Sequence, residues 1–344
     1  QMSNSLHWHF LEGRCMTAIS LSRRALLRAG TAAPLASFAG GAAAQTTEQP
    51  SGKKRSQAPG FFRLTVGDYL VTMVSDGQLS LPARMLAANV PEAKLRSYLK
   101  SIRQAADMQR GHLNLTLIDT GEQVILIDAG AGPDFVDSAG TIEASLAAAG
   151  YGADDIDLVI ITHGHPDHVW GILDDAGEEP RFAHAEYAVN GAEWQFWTDE
   201  KLADRLPEGQ KAMAHGARKN LSAVSARAKR VAPDAELAPG VHLFPAPGHT
   251  PGHSGVMVES DGERLLVAGD ALTHPFISFE QTDWHFGYDM DGEQAAATRK
   301  HILEMAASED MRLALYHAPF PGVGRAARLG SGFRFIPENW DWNV

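Results

Sequence analysis

The run His163-Gly164-His165-Pro166-Asp167-His168 limits this chain more than any other feature. It sets three imidazoles and a carboxylate within six residues, directly after the apolar stretch Leu158-Val159-Ile160-Ile161. A strand that runs out into a loop holds such side chains on one rigid edge. A lone histidine would be unremarkable, but four ligand-type residues at this spacing point to a metal, since zinc needs nitrogen and oxygen donors converging at about 2.0–2.2 Å. Gly164 and Pro166 argue against a helix, so the loop is expected to wrap round the ion. Further donors follow other strand-like runs: His249 in Pro247-Gly248-His249-Thr250-Pro251-Gly252-His253, Asp270 in Ala268-Gly269-Asp270, and His317 in Leu315-Tyr316-His317. One cysteine, Cys15, against fifteen histidines means that the site must use imidazole and carboxylate, which suits zinc, manganese, iron or cobalt.

The remaining pattern places these residues on a scaffold. Short apolar, β-branched runs at Phe61–Val66, Tyr69–Val74, Leu113–Ile118, Val124–Ile127 and Leu158–Ile161 read as strands, with a helix over Thr141–Ala149. A helical region around Ala183–Arg230 follows. Strands are then expected at Val241–Pro245, Gly255–Glu259, Arg264–Ala268 and Leu313–Tyr316, with a helix at Gly292–Ala307. Two β-rich halves, each with covering helices, imply an α/β (α+β) fold of two packed sheets flanked by helices. No repeat of about 20–50 residues marks a solenoid.

Residues 1–44 read as an address followed by a leader at 45–60, leaving 61–344 as a single catalytic domain. Ser22-Arg23-Arg24-Ala25-Leu26-Leu27 opens a small-residue apolar run ending at Ala42-Ala43-Ala44, the layout of a bacterial export signal of twin-arginine type. Met16 then stands as the expected initiator, and the expected location is periplasmic or secreted. The apolar run falls short of the roughly 20 residues that a membrane span needs, and no later segment reaches that length. A net charge of −12 opposes nucleic-acid partners, which require a basic face. The expected partner is a small hydrophobic substrate.

His163-x-His165-x-Asp167-His168, then Gly248-His249-Thr250-Pro251-Gly252-His253, Gly269-Asp270 and the strand-end His317 resemble the metallo-β-lactamase-fold hydrolases. The resemblance runs from about residue 61 onward and implies a four-layer αβ/βα sandwich of two mixed sheets. It also implies that His163, His165 and His249 hold one divalent metal and Asp167, His168 and His317 a second, with Asp270 bridging them. Asp128 in Leu126-Ile127-Asp128-Ala129-Gly130 matches the family's second-shell aspartate, which orients the metal loop. Two adjacent cations would activate a shared water as hydroxide and polarise the substrate oxygen. Asp167 or Asp270 would then move the proton.

Within the family the chain is most similar to the branch of methyl parathion hydrolases and quorum-quenching lactonases. Ser75-Asp76-Gly77-Gln78-Leu79-Ser80-Leu81-Pro82, His317–Gly324 and Gly332–Pro337 carry that likeness, and Asp76 is expected in the second shell with Asp128. The implied reaction is hydrolysis of a lactone, an aryl ester or an organophosphate triester. Members that open β-lactam antibiotics usually lack the bridging aspartate; that activity and a non-catalytic metal-binding role are the alternatives. Homodimers are common in this branch. The aromatic residues Trp194, Trp197, Trp284 and Phe286 read either as helix core or as the apolar wall of a substrate pocket.

Overall fold

The computed structural model describes residues 60–344; the expected export signal and most of the leader lie outside the described residues. Two sheets of seven strands each form the frame. The first takes β1 (Phe61–Val66), β2 (Tyr69–Pro82), β3 (Met108–Asp119), β4 (Val124–Ile127), β5 (Leu158–Ile161), β6 (Glu186–Asn190) and β7 (Ala228–Val231) in that spatial order. The second takes β8 (Glu236–Ala238), β9 (Val241–Pro245), β10 (Ser254–Ser260), β11 (Glu263–Val267), β12 (Arg312–Ala314), β13 (Val323–Leu329) and β14 (Gly332–Pro337). Hairpins make the antiparallel pairs, whereas β4 through β7 pair in parallel, as do β11 and β12.

Parallel strands here are covered on both faces, which is why β4 and β5 read VILI and LVII without polar alternation. Ile125, Ile127, Leu158 and Ile160 point into the core between the sheets, where they meet Val241, Val256 and Leu265. Leu126, Val159 and Ile161 point outward to a second core under α2 (Ile142–Ala149), α4 (Gly191–Thr198), α5 (Leu202–Arg205) and α6 (Glu208–Ala223). The other sheet packs Leu266 and Leu313 against Ile302 and Leu303 of α8 (Gly292–Ser308). The result is helices, sheet, sheet, helices, the expected four-layer sandwich. Among the described residues no helix is long and apolar enough to cross a membrane.

Several local expectations change. The segment 183–230 is not helical throughout: Tyr187-Ala188-Val189 is a buried strand run between β5 and β7, and so short an apolar triplet looks the same in a buried helix. Pro166 does not prevent a helix but begins one, α3 (Pro166–Val169), because its missing N–H costs nothing in a first turn. β2 and β3 run on past the expected ends as a long hairpin with a bulge between Ser75 and Gln78. Two further elements, α1 (Glu92–Ser101) and α7 (Ile277–Glu280), complete the satellite core around Leu95, Leu99 and Ile277.

Because Ile160 is fully buried between the sheets two residues before Thr162, truncating it tests the frame directly. Ile160→Ala is expected to cost about 2–5 kcal/mol, read as a lower denaturant midpoint with an unchanged slope.

Candidate metal centre

All the expected donors arrive at one end of the two sheets. β4 and β5 are parallel neighbours, so their ends set Asp128 beside Thr162 and His163; β9 runs toward His249, β11 toward Asp270 and β12 toward His317. Ser254 N bonds Thr162 O at 3.0 Å and fastens the two sheets together at this rim. The segment 315–318 lies along β3, with Asn114 N bonding Tyr316 O and Asn114 Nδ2 reaching Leu315 O and Ala318 O.

The seven residues form two buried groups, each with its donor atoms within 4.8 Å of one another: His163, His165, His249 and Asp270, then Asp167, His168 and His317. Asp270 spans both. Its Oδ2 lies 3.3 Å from His249 Nε2 and 3.2 Å from His317 Nε2, while Oδ1 lies 3.5 Å from His168 Nε2. Asp167 Oδ2 stands 3.4 Å from His317 Nε2 and 3.6 Å from His168 Nε2.

Four rings are held from behind so that Nε2 faces the centre. His168 Nδ1 is 2.7 Å from Asp128 Oδ2, His249 Nδ1 is 2.9 Å from Asp289 Oδ1, His317 Nδ1 is 2.9 Å from His112 O, and His163 Nδ1 is 3.1 Å from Thr162 Oγ1. Such outer contacts fix a ring's tautomer and direction. His165 turns the other way, with Nδ1 2.9 Å from His249 Nε2.

These residues fit divalent metal ions on the structure's own terms. His163 Nε2, His168 Nε2 and Asp270 Oδ1 are buried without any hydrogen-bond partner, a costly arrangement that a cation resolves. Burial and the neighbouring imidazoles push His163 and His165 well below the ordinary histidine value, into the neutral form that a metal requires. Burial acts the same way on His168, but Asp167, Asp128 and Asp270 outweigh it and hold that ring well above its ordinary value. The Asp270 carboxyl, raised by burial, is brought far below the carboxylate range by His317 and His168. Negative charge is thus concentrated where positive charge is called for.

Asp128 adopts the left-handed conformation, φ 65°, so that one carboxylate can take Thr162 N, Thr162 Oγ1 and the His168 ring together. Asp76 does not reach the donors, contrary to the second-shell expectation. Its carboxylate takes the backbone N–H of Ala131 and of Ile142 at 2.7 Å each, pinning the turn after Asp128 to the start of α2. A buried carboxylate in a motif beside the site gives no sign in sequence of which backbone it will hold.

Of the two readings of the four aromatic residues, the structure favours core over pocket wall. Trp194 lies under Arg230, whose guanidinium carbon is 4.0 Å from its ring, and Trp284 packs with Tyr98 in the satellite core. Trp197 and Phe286 stand behind ligand rings, 5.5 Å from His165 and 6.0 Å from His249. None of the four lines the cleft that opens at His165. That cleft, about 340 Å³, is lined by Leu206 just after α5, by Gln210 and Met213 from α6, and by Tyr288, Asp289 and Met290 from the loop before α8. Sequence reasoning missed these residues, along with Asp289 behind His249 and Glu193; Asp289-x-Asp291 ahead of a helix carries only a capping signal.

The chain belongs to the metallo-beta-lactamase superfamily, which matches residues 109–317. Among solved structures it is similar to AidC, a dizinc quorum-quenching lactonase in complex with an acyl-homoserine product, at 28% identity and TM-score 0.78, over 83% of this chain and 100% of that one. It is similar to the hydrolase AbOPH at 28% identity and TM-score 0.77, with the same coverage. A probable metallo-hydrolase of Mycobacterium tuberculosis is 28% identical over 190 residues, 47% of this chain; the match spans 57% of that protein.

One histidine near the centre has a purely structural duty that pH should reveal. Burial pushes His274 down to about 4, and its Nδ1 accepts from Phe276 N and Ile277 N at 3.2 Å, which requires the unprotonated ring. With the folded value depressed, the unfolded chain takes the proton first. The stability is present above about pH 6.5 and is lost as pH falls toward 4, at up to about 1.4 kcal/mol per unit. His274→Gln is expected to flatten that part of the decline, measured as denaturant midpoints at several pH values between 7 and 4.

Proposed function

We propose that this protein is a metal-dependent hydrolase that opens lactones bearing an acyl chain. The observation that carries the reading is the placement of the inward-facing, unpartnered donor atoms beside a cleft that sets Leu206, Met213 and Met290 among the polar groups of Gln210, Tyr288 and Asp289. Likeness to a dizinc lactonase at 28% identity supports zinc and an acyl lactone as the starting choice. His163, His165 and His249 would hold one ion, Asp167, His168 and His317 the other, with Asp270 shared between them. When bound, two such cations supply Lewis acidity and lower the pKa of water.

The chain's own groups do the rest. Leu206, Met213 and Met290 shed water around the acyl chain, Gln210 offers an amide to a polar link in it, and the lactone ring sits toward His165. Adding water across the ring ester leaves a carboxylate and a hydroxyl. Asp167 Oδ2 or Asp270 Oδ1, each a carboxylate oxygen, would take the proton that the attacking water gives up and pass it to the departing alkoxide. Aryl esters and organophosphate triesters place charge on an oxygen in the same way and belong in the substrate panel. Export by Arg23-Arg24 is part of the same reading; a reporter fused to residues 16–60 should lose export on Arg23→Lys/Arg24→Lys.

The deciding experiment assays the purified full chain against hexanoyl-homoserine lactone, an unsubstituted lactone, an aryl ester, an aryl phosphotriester and nitrocefin, with chelation and zinc add-back. Acyl-lactone opening that is lost on chelation and restored by zinc is the expected result; nitrocefin as the preferred substrate would overturn it. Met213→Trp should raise KM for the hexanoyl lactone roughly tenfold while sparing the unsubstituted ring, since it fills only the chain's part of the cleft.

A further inference from the structure

Glu193 is the most fully engaged buried carboxylate that the reaction does not use. It lies in the first turn of α4, which Asn190 caps by accepting from Ala192 N at 2.9 Å. Its side chain is fully buried and, among the described residues, forms no ion pair. Four donors satisfy it instead. Oε1 takes Gly164 N at 3.0 Å and Trp197 Nε1 at 2.5 Å; Oε2 takes Thr250 Oγ1 at 2.8 Å and Gly252 N at 2.9 Å. Burial raises the Glu193 carboxyl above its ordinary value, and the four donors work against that rise because all of them can be accepted at once by the ionised form.

The division between the two oxygens is informative. Gly164 separates His163 from His165, while Thr250 and Gly252 follow His249. One oxygen therefore grips the loop of two donors and the other the loop of the third, and these three histidines share one metal group. Both loops carry glycine where α4 comes in: a Cβ on Gly164 would lie 2.4 Å from Trp197 Cδ1, and one on Gly252 would lie 2.3 Å from Glu193 N. The second group has anchors that Glu193 does not touch, Asp128 behind His168 and His112 O behind His317; Asp128 also reaches the first group, through Thr162 Oγ1 at His163.

We infer that Glu193 is a positioning residue for one metal only: it clasps the His163–His165 loop to the His249 loop and sets the spacing of that site, leaving the Asp167–His168–His317 site alone. The inference rests on the metal reading above. Replacing Oε1 or Oε2 by an amide sets N–H against N–H on one of the loops, which unlinks them without emptying the space.

The test is calorimetric titration of Zn2+ into the chelator-stripped full chain, paired with the visible spectrum of the cobalt(II)-loaded protein. Wild type is expected to take two equivalents. Glu193→Gln should keep one at wild-type affinity and bind the other about 10–100-fold more weakly, the range typical of outer contacts to metal ligands. The weakened equivalent and the cobalt band that fades should be those lost in His249→Ala. Thr250→Ala, which removes one donor and spares the carboxylate, should shift the same equivalent by less, and it carries the test alone if Glu193→Gln does not fold. Unchanged affinity for both equivalents, or equal weakening of both, would overturn the inference while leaving the metal reading intact. A wild type that takes fewer than two equivalents would overturn both.

Discussion

The contact between Asp128 and the start of the metal loop is the constraint from which the centre follows. Its carboxylate takes Thr162 N at 2.8 Å, Thr162 Oγ1 at 2.9 Å and His168 Nδ1 at 2.7 Å, from a left-handed backbone that costs most side chains energy and that aspartate tolerates better than most. The surroundings here are the parallel pairing of β4 with β5, whose ends stop level, and Asp128 N bonding Ile160 O at 2.8 Å. Ala129 N then reaches His168 O, and Asp76 holds the next turn through Ala131 N. A strained residue is thereby fixed at its carboxylate, its own amide and the chain that follows. Burying imidazoles and carboxylates together is expensive unless each is paired, and the chain of contacts from Asp128 begins that pairing.

The donors were legible in the sequence because a metal demands several of them close together, and strand ends are where a chain can supply them. His163, His165, Asp167 and His168 announce themselves by proximity, and His249, Asp270 and His317 each follow a recognisable strand. The groups behind the donors were less legible. Asp289 sits just ahead of a segment read as a helix and Glu193 inside another, and their meaning comes from the loops that fold onto them. Trp194 shows the converse: an aromatic-rich helix suggested a pocket wall, but its ring faces Arg230 of β7, a strand hidden in a region read as helix. Missing β6 and β7 and misplacing Trp194 are one error, since without those strands α4 had no sheet edge to pack on.

The two halves of the centre are built by different means. On one side stand strand-end contacts within a few residues of the sheet: Asp128 for His168, and the backbone of His112 for His317. On the other stand side chains from later in the chain: Glu193 on α4 and Asp289 ahead of α8, the latter also 3.4 Å from the buried Arg299 guanidinium. Arg299 in turn bonds Ala271 O, next to Asp270, and the carbonyls of Thr282 and Trp284. The first half is thus anchored at the sheet, as His163 of the second half is through Thr162 Oγ1, whereas the rest of the second half is anchored on docked helices.

That difference ties substrate fit to the geometry of the centre. The loop that gives Tyr288 and Met290 to the cleft also gives Asp289 to His249, and it is bonded to the His249 loop by Met290 N to His249 O at 3.1 Å and Asp291 N to Gly248 O at 2.9 Å. Phe286 N closes the turn on Asp289 Oδ2. Thioether side chains at Met213 and Met290 can adapt to differently shaped occupants of the cleft, but any displacement of the loop that they impose is passed to the ring of His249 through Asp289. The opposite wall, on α6 and just ahead of it, has no such bond to a donor ring. On the acyl-lactone reading proposed above, chain length is therefore accommodated on the α6 side, which is not bonded to a donor ring, and discriminated on the Tyr288–Met290 side, where a misfit reaches the metal ligands.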